Sequence, residues 1–105
     1  MKQWNLTGRA KRDLADIRRF TRERWGLLKA EKYLDGIYEK IQIAAEHPAI
    51  GIDRSKSLKL GCEVRSVLCG SHIIYYVVFE TYISVAAILH QNMVPKRHLI
   101  TVIQE

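Results

Sequence analysis

The sequence lacks the long apolar runs that membrane spans and secretion signals require. Its apolar runs are strand-sized and interrupted, whereas a helix that crosses a bilayer needs roughly 20 apolar residues. The opening stretch MKQWNLTGRAKRD has no apolar centre of the kind that a signal peptide carries. We therefore expect a cytoplasmic protein with no membrane partner.

Cysteine is also scarce, with 2 residues in 105. Cys62 and Cys69 fall in one predicted strand at an odd spacing, so their side chains would point to opposite faces roughly 20 Å apart and could not form a disulfide with each other. Two cysteines alone make a poor zinc site. We expect no structural metal and no cofactor.

Length and composition are those of one globular domain. The 105 residues are too few for two independent cores, and 48% hydrophobic with 27% charged residues gives no reason to expect disorder. We predict a single domain over residues 1–105. Acidic residues are the minority, since 17 Lys and Arg stand against 11 Asp and Glu, a net charge of +6. This charge suits a nucleic acid or an acidic protein partner, and it does not choose between them.

Two amphipathic helices are predicted in the first half of the chain. Thr7 is a plausible N-cap for the first helix, which ends near Trp25 and Gly26, and the second stops at His47 and Pro48. Helices joined by about two residues must pack antiparallel as a hairpin, and we expect Trp25 to plug it. The apolar stripes recur at spacings of three and four: Ala10, Leu14, Ile17 and Thr21, then Ala30, Leu34, Ile37, Ile41 and Ala44.

The basic residues concentrate on the first helix. Between Arg9 and Arg24 there are seven Arg or Lys residues and three Asp or Glu residues. The simplest interpretation of this segment is a solvated helix face.

The second half of the chain predicts a three-stranded meander. It follows a segment over residues 49–61 that we expect to be a loop or a short irregular edge, and the tail from Met93 to Glu105 could form a last helix or an added strand. The fold class is therefore a small α+β domain, in which an N-terminal strand and a helical hairpin pack on a mostly antiparallel sheet with a C-terminal meander. The predicted strands are Gln3–Leu6, Cys62–Leu68, His72–Phe79 and Tyr82–His90, with turns at Gly70–Ser71 and Glu80–Thr81.

The stretch SHIIYYVVFETYISVAAILH is apolar at almost every position, so both of its faces need cover. The hairpin can cover one face, and an uncovered apolar face usually marks a binding surface. The tail is a competing cover for that second face. With two-residue turns, we expect the second face to carry Arg65, Ile74, Tyr76, Val78, Val85 and Leu89. A turn one residue longer would give this face to Ile73, Tyr75 and Val77 instead.

Four segments carry motifs in a fixed order. They are LTGRAKRDLADIRRFTRERWG, AEKYLDGIYEKIQIAAEHPAIG, EVRSVLCGSHIIYYVV and AAILHQNMVPKRHL. Their Asp-Leu-x-x-Ile helix, Pro-x-x-Gly turn, Gly-Ser-His turn and Ile-Leu-His-x-x-Met ending resemble the ParE toxins of the RelE/ParE superfamily, the toxic halves of type II toxin-antitoxin pairs. Ala87 and Val94 stand where many members of that family carry Arg and Asp.

The resemblance implies a poison that traps DNA gyrase on cleaved DNA, acts without a cofactor and has no enzymatic activity of its own. It also implies a ParD-like antitoxin in a hetero-oligomer with the toxin, and a role in plasmid stabilisation. The antitoxin would cover the second face, contacting Arg65, Ile74, Tyr76, Val78, Val85 and Leu89. The candidates for the gyrase contact are Met93, Lys96 and Arg97 near the tail.

Two alternatives stay open. In a RelE-like ribosome-dependent mRNA interferase, Arg65 and His90 would be the catalytic residues, because phosphodiester cleavage needs a proton-transfer group and a charge clamp. The structural interpretation of Arg65 is an ion pair with Glu63, Glu80 or Glu105. A detoxified binding module is the other alternative, since Ala87 and Val94 depart from common family residues.

Overall fold

A five-stranded sheet carries a helical hairpin on one face and a short C-terminal helix on the other. The computed structural model describes residues 3–58 and 61–103. In chain order the elements are β1 (Gln3–Leu6), α1 (Gly8–Trp25), α2 (Leu27–Glu46), β2 (Ile52–Asp53), α3 (Ser55–Leu58), β3 (Val64–Cys69), β4 (His72–Val78), β5 (Tyr82–His90) and α4 (Pro95–Ile103). The strand order is β1-β5-β4-β3-β2, with β1 parallel to β5 and the other neighbours antiparallel. This confirms the predicted α+β fold class.

The segment predicted as a loop or a short irregular edge contributes a short edge strand to the sheet, together with two short helical turns. A 3₁₀ turn at Pro48–Ile50 leads into β2, which adds an edge strand beside β3, and α3 follows as a single turn. The tail takes the first of its two predicted alternatives and forms the helix α4.

The two ends of α1 lie where the sequence predicts them, at Thr7 and at Gly26. The Thr7 side chain accepts a hydrogen bond from the Ala10 N–H at 3.1 Å, which caps α1 as predicted. Gly26 ends α1 at a φ of 90°, a left-handed conformation that favours glycine, and its N–H donates to the Arg22 carbonyl. Because α2 starts one residue later, the helices fold back on each other.

The hairpin covers one face of the sheet with the apolar stripes of both helices. Every predicted stripe position is buried except Thr21, which is half-buried. Burying each of the larger aliphatic side chains contributes roughly 1.5–3 kcal/mol. The cluster contains Ala10, Leu14, Ile17, Leu34, Ile37, Ile41, Ile74, Val85 and Ile88.

A β-bulge in β5 sits beneath α1. Tyr75 lies opposite Ala87 while Tyr76 lies opposite Val85, so Ala86 is the extra residue. Two side chains near the start of α1, those of Thr7 and Asp13, form hydrogen bonds with the β5 backbone at the bulge. The Thr7 hydroxyl donates to the Ala86 carbonyl at 2.7 Å, and Asp13 Oδ2 accepts from the Ile88 N–H at 2.9 Å.

The C-terminal helix supplies the cover for the far face of the sheet. Leu99 of α4 is fully buried, and Val102 packs against the same cluster. Because of the bulge, Ala86 and Ala87 both belong to this far-face cluster. Its buried members are Val64, Tyr75, Val77, Ala86, Ala87, Leu89 and Leu99.

The predicted membership of the far face is therefore wrong for five of its six residues. Ile74 and Val85 belong to the cluster beneath the hairpin, and Tyr76 and Val78 pack with Ala44 and Ala45 of α2. Arg65 lies opposite Tyr76 and shares its side of the sheet. Only Leu89 is on the far face, because the bulge shifts the alternation of β5 by one residue.

Tyr76 is a structural anchor. Its side chain is completely buried, and its hydroxyl accepts from the Gly51 N–H at 3.0 Å and donates to the Pro48 carbonyl at 2.7 Å. These bonds hold the turn after α2 against the sheet. A Cβ on Gly51 would lie 2.3 Å from that hydroxyl, so the turn requires glycine there.

Removing the Asp13 carboxylate is expected to lower the free energy of unfolding by about 2 kcal/mol, because the Ile88 N–H would lose its acceptor in a buried position. Urea denaturation of Asp13→Ala, followed by circular dichroism, measures the loss.

Asp16→Ala is the matched control, since it makes the same change on the same helix at a carboxylate that is 66% exposed and forms an exposed pair with Arg19. We expect its effect to stay within about 0.5 kcal/mol. Equal effects of the two substitutions would contradict the role assigned to Asp13.

Candidate functional site

A wide groove runs along the hairpin. It has a volume of about 1050 Å³ and lies between α1, α2, the β3–β4 turn and the end of β5. We call it the hairpin groove. Its lining consists of Arg9, Asp13, Asp16, Ile17, Phe20, Thr21, Trp25, Lys29, Lys32, Tyr33, Gly36, Cys69, Gly70, Ser71, His72, Ile88, His90 and Met93.

One wall of the hairpin groove presents two large aromatic side chains to solvent. Phe20 is 58% exposed and Trp25 is 59% exposed. The expectation that Trp25 plugs the hairpin is therefore wrong, because Gly26 turns the chain so tightly that the indole stays outside the helix interface. Exposed aromatics beside a groove are typical of protein docking surfaces.

The hairpin groove carries more cations than anions, because Arg9, Lys29 and Lys32 line it against Asp13 and Asp16. Lys29 Nζ lies 5.2 Å from the centroid of the Trp25 ring, and Arg24 Cζ lies 5.4 Å from that of Phe20. Cations over aromatic faces hold the rings in place and leave the charge at the surface. The groove therefore combines apolar anchors with positive charge.

The floor of the hairpin groove is a cluster of Tyr33, His72 and His90. The Tyr33 hydroxyl lies 2.6 Å from His72 Nδ1 and accepts from the Ser71 N–H at 3.2 Å. The two imidazoles meet edge to face with centroids 5.5 Å apart. Gly70, at a φ of 60°, lets the turn approach the Tyr33 ring, since a Cβ there would lie 2.7 Å from it.

The surroundings of His72 and His90 restrict proton transfer by these two side chains. Burial, and then the neighbouring His90, lower the pKa of His72, which favours its neutral form. His90 Nδ1 accepts from the Asn92 N–H at 3.2 Å, so the neutral ring carries its proton on Nε2. The Nδ1 lone pair of His90 is therefore engaged by the turn that follows β5.

The two residues predicted for RNA cleavage are not brought together. Arg65 lies opposite Tyr76 and His90 lies opposite His72, four positions further along β4. This separates them by about 13 Å along the strands and about 10 Å across the sheet. Arg65 Nε instead donates to Glu63 Oε2 and Nη1 to the Gly51 carbonyl, both at 2.8 Å. The predicted ion pair with Glu63 is confirmed.

The other predicted contact residues divide between two regions. Met93 lines the hairpin groove, whereas Lys96 and Arg97 are exposed at the start of α4, the helix that covers the far face. Phe20 and Tyr33 are absent from the predicted sites, because their meeting with a turn distant in sequence is a tertiary property. The signal that the sequence offers for Phe20 is an aromatic residue on the charged side of its helix.

A second groove lies on the other side of α1, with a volume of about 610 Å³. Leu6, Leu14, Leu34 and Tyr38 contribute apolar surface to it. Lys11, Arg18, Arg19 and Arg22 contribute positive charge. The first helix therefore has a groove along each side.

Across residues 3–58 and 61–103, no cluster of three or more His, Cys, Asp or Glu side chains has the arrangement of a metal site. No helix in this described part of the chain has the length and hydropathy of a bilayer span.

Comparison with known proteins places this architecture in one family. The family described as ParE toxin of type II toxin-antitoxin system, parDE, matches residues 5–95. Toxin ParE1 of Caulobacter vibrioides is 35% identical over 99 residues, covering 94% of this chain and 99% of that protein. Toxin ParE1 of Mycobacterium tuberculosis is 36% identical over 95 residues, covering 90% of this chain and 94% of that protein.

A solved structure has the same fold. The chromosomal ParDE TA system from P. aeruginosa contains a chain that superposes with a TM-score of 0.71 at 21% identity. The match covers 86% of this chain and 96% of that one.

The free energy of unfolding is expected to fall as the pH drops below about 6.5, because the folded pKa of His72 lies below that value. The unfolded chain then binds more protons than the folded chain, so stability rises with pH through this window. Tm measured between about pH 5 and 7.5 should depend less on pH in His72→Gln. His47→Gln, which removes an exposed histidine outside the cluster, should keep the wild-type dependence. Parallel profiles for wild type and His72→Gln would contradict the assignment.

Proposed function

This chain belongs to the ParE toxin family of type II toxin-antitoxin systems, and we propose that it inhibits DNA gyrase by trapping the enzyme on cleaved DNA. We propose further that a ParD-like antitoxin neutralises it in a hetero-oligomer by docking in the hairpin groove. The observation that carries the docking proposal is the pairing of exposed Phe20 and Trp25 with an excess of cations. Gyrase acts in the cytoplasm, which is the proposed location of the toxin, and plasmid stabilisation is the proposed role of the pair.

The chemistry of the hairpin groove suits an acidic amphipathic segment. Apolar side chains of such a segment would pack on Ile17, Phe20 and Trp25, and its carboxylates would face Lys29 and Lys32. A volume of about 1050 Å³ matches the upper end of small-molecule pockets. With two half-exposed aromatics at its edge, the groove is better suited to a peptide.

The hairpin groove replaces the sheet face as the proposed antitoxin site. Ile74, Tyr76 and Val85 are completely buried beneath the hairpin, so docking on them would require unpacking the core. Most of the far face is already covered by α4. Met93 is the residue shared by the groove and the predicted gyrase contact, so antitoxin docking there would also restrict access of gyrase to Met93.

The arrangement of His90 and Arg65 agrees with a toxin that acts on gyrase by binding and not by catalysis. His90 accepts a hydrogen bond from the Asn92 N–H, and Arg65 lies two strands away, where it donates to Glu63 and to the Gly51 carbonyl. A protein with this arrangement is expected to act on gyrase by association alone.

Purified toxin incubated with gyrase, ATP and relaxed plasmid is expected to accumulate linear DNA and to block supercoiling. Translating ribosomes incubated with the same preparation should keep their mRNA intact. Ribosome-dependent mRNA cuts that disappear in Arg65→Ala, with gyrase unaffected, would move the protein to the interferase class. Normal growth after induced expression of folded toxin would point to the detoxified module instead.

Replacing both groove aromatics is expected to weaken antitoxin binding at least 100-fold, since an anchor residue in a docking site contributes about 2 kcal/mol or more. The variant is Phe20→Ser/Trp25→Ser, measured by isothermal titration with the cognate antitoxin. Tm should change little because both rings are more than half exposed.

Leu28→Ser/Leu68→Ser is the matched control, because Leu28 is 86% exposed and Leu68 is 59% exposed, and neither lines the groove. Its antitoxin affinity should stay within about threefold of wild type. If the aromatic double variant binds as tightly as this control, the antitoxin docks elsewhere.

A further inference from the structure

A stripe of positive charge runs along the outer side of α1. With 3.6 residues per turn, five cations fall within an arc of about 120° around the helix axis. Gly8 and Ala15 are the other residues in this arc, and both are exposed. We call this surface the α1 stripe, and its charged members are Lys11, Arg12, Arg18, Arg19 and Arg22.

Acidic residues lie outside the α1 stripe. Asp13 points to the β5 bulge, and the same helical geometry puts Asp16 and Glu23 beyond the edge of the arc. Arg19 reaches Asp16 at 3.2 Å and Arg18 reaches Glu31 at 3.5 Å, both in exposed pairs that compete weakly with another anion. Within residues 3–58 and 61–103, the cations at positions 11, 12 and 22 form no ion pair.

The arc of the α1 stripe contains no apolar side chain larger than Ala15, and the apolar side chains of the second groove lie beside it rather than between its cations. Protein interfaces depend on a few buried aromatic or aliphatic side chains, and the arc contains only Ala15 and Gly8 between its cations. Those small residues would let a polyanion approach the helix closely. From Lys11 to Arg22 the stripe is about 16 Å long, which is the axial length of about five base pairs of duplex DNA.

We propose that the α1 stripe binds the phosphate backbone of duplex DNA. Such contacts need charge and no sequence readout. In the gyrase complex, which rests on the proposed function, the toxin would then touch both the enzyme and the DNA that the enzyme holds. The net charge of +6 suits this partner, as it would suit an acidic protein.

The test measures binding of purified toxin to a short fluorescein-labelled duplex by fluorescence anisotropy, between about 50 and 200 mM salt. Wild type should bind with an affinity that falls steeply with salt. Arg12→Gln/Arg22→Gln should bind on the order of tenfold more weakly, and the slope of log affinity against log salt should flatten by about 1.8.

The matched control is Lys40→Gln/Lys56→Gln, which removes the same charge from two exposed positions outside the α1 stripe. Its affinity for the duplex should change less than about twofold. Equal weakening of both double variants would overturn the proposal, because net charge alone would then explain binding. Absence of duplex binding by folded wild type at the lower salt concentration would overturn it as well.

Two further measurements separate this inference from the proposed function. Arg12→Gln/Arg22→Gln should keep its antitoxin affinity, and loss of that affinity with unchanged duplex binding would assign the stripe to the antitoxin.

In the gyrase assay a higher concentration of the same variant should be needed for half-inhibition, and unchanged potency would remove the stripe from the gyrase complex. A wild type that leaves gyrase untouched would refute the proposed function, while the duplex titration would still decide on the stripe.

Discussion

The contact between the start of α1 and the bulge in β5 sets the geometry of the rest of the molecule. Near the bulge, the Ala86 carbonyl and the Ile88 N–H of β5 form hydrogen bonds with side chains from outside the sheet. The Thr7 hydroxyl donates to the carbonyl, and the Asp13 carboxylate accepts from the N–H. One bond comes from the cap and the other from the second turn of α1, so together they define both the position and the rotation of the helix on the sheet. Arg9 completes the arrangement by holding the other oxygen of Asp13 at 2.8 Å. A buried carboxylate with both oxygens bonded is stabilised where an unpaired one would be costly.

The order of elements follows from the sequence, whereas the assignment of sheet faces does not. Spacings of three and four apolar residues predict both helices, and Gly26 and the Gly70 turn predict the breaks between elements. The central strand β4 is apolar on both faces, so alternation says nothing about which face meets the helices. The bulge adds a second ambiguity. Ala86 and Ala87 are residues that any strand can contain, so the sequence gives no sign of the bulge. The bulge nevertheless moves Leu89 to the opposite face of the sheet.

The hairpin groove was harder to predict than the fold, for a related reason. Phe20, Tyr33 and His72 come from three elements, and only the antiparallel return of α2 brings Tyr33 onto the Gly70 turn. Sequence alone treats an aromatic at helical spacing as core, because most are. Trp25 is an exception imposed by the tight connection at Gly26. Arg65 shows the opposite case, where the expected ion pair with Glu63 formed and used much of the hydrogen-bonding capacity that a functional role would need.

A single helix thus presents four surfaces with different physical properties. One side of α1 packs Ala10, Leu14 and Ile17 into the core, and a second side directs Asp13 at the bulge. The aromatic side opens on the hairpin groove, and the α1 stripe faces away from it. Since all four directions are fixed by the same rotation of the helix, the contact at the bulge determines where the groove and the stripe point. A partner in the groove and a polyanion on the stripe would then contact one rigid element on opposite sides. The two events could exclude each other only through the partners themselves, and not through a change in the helix.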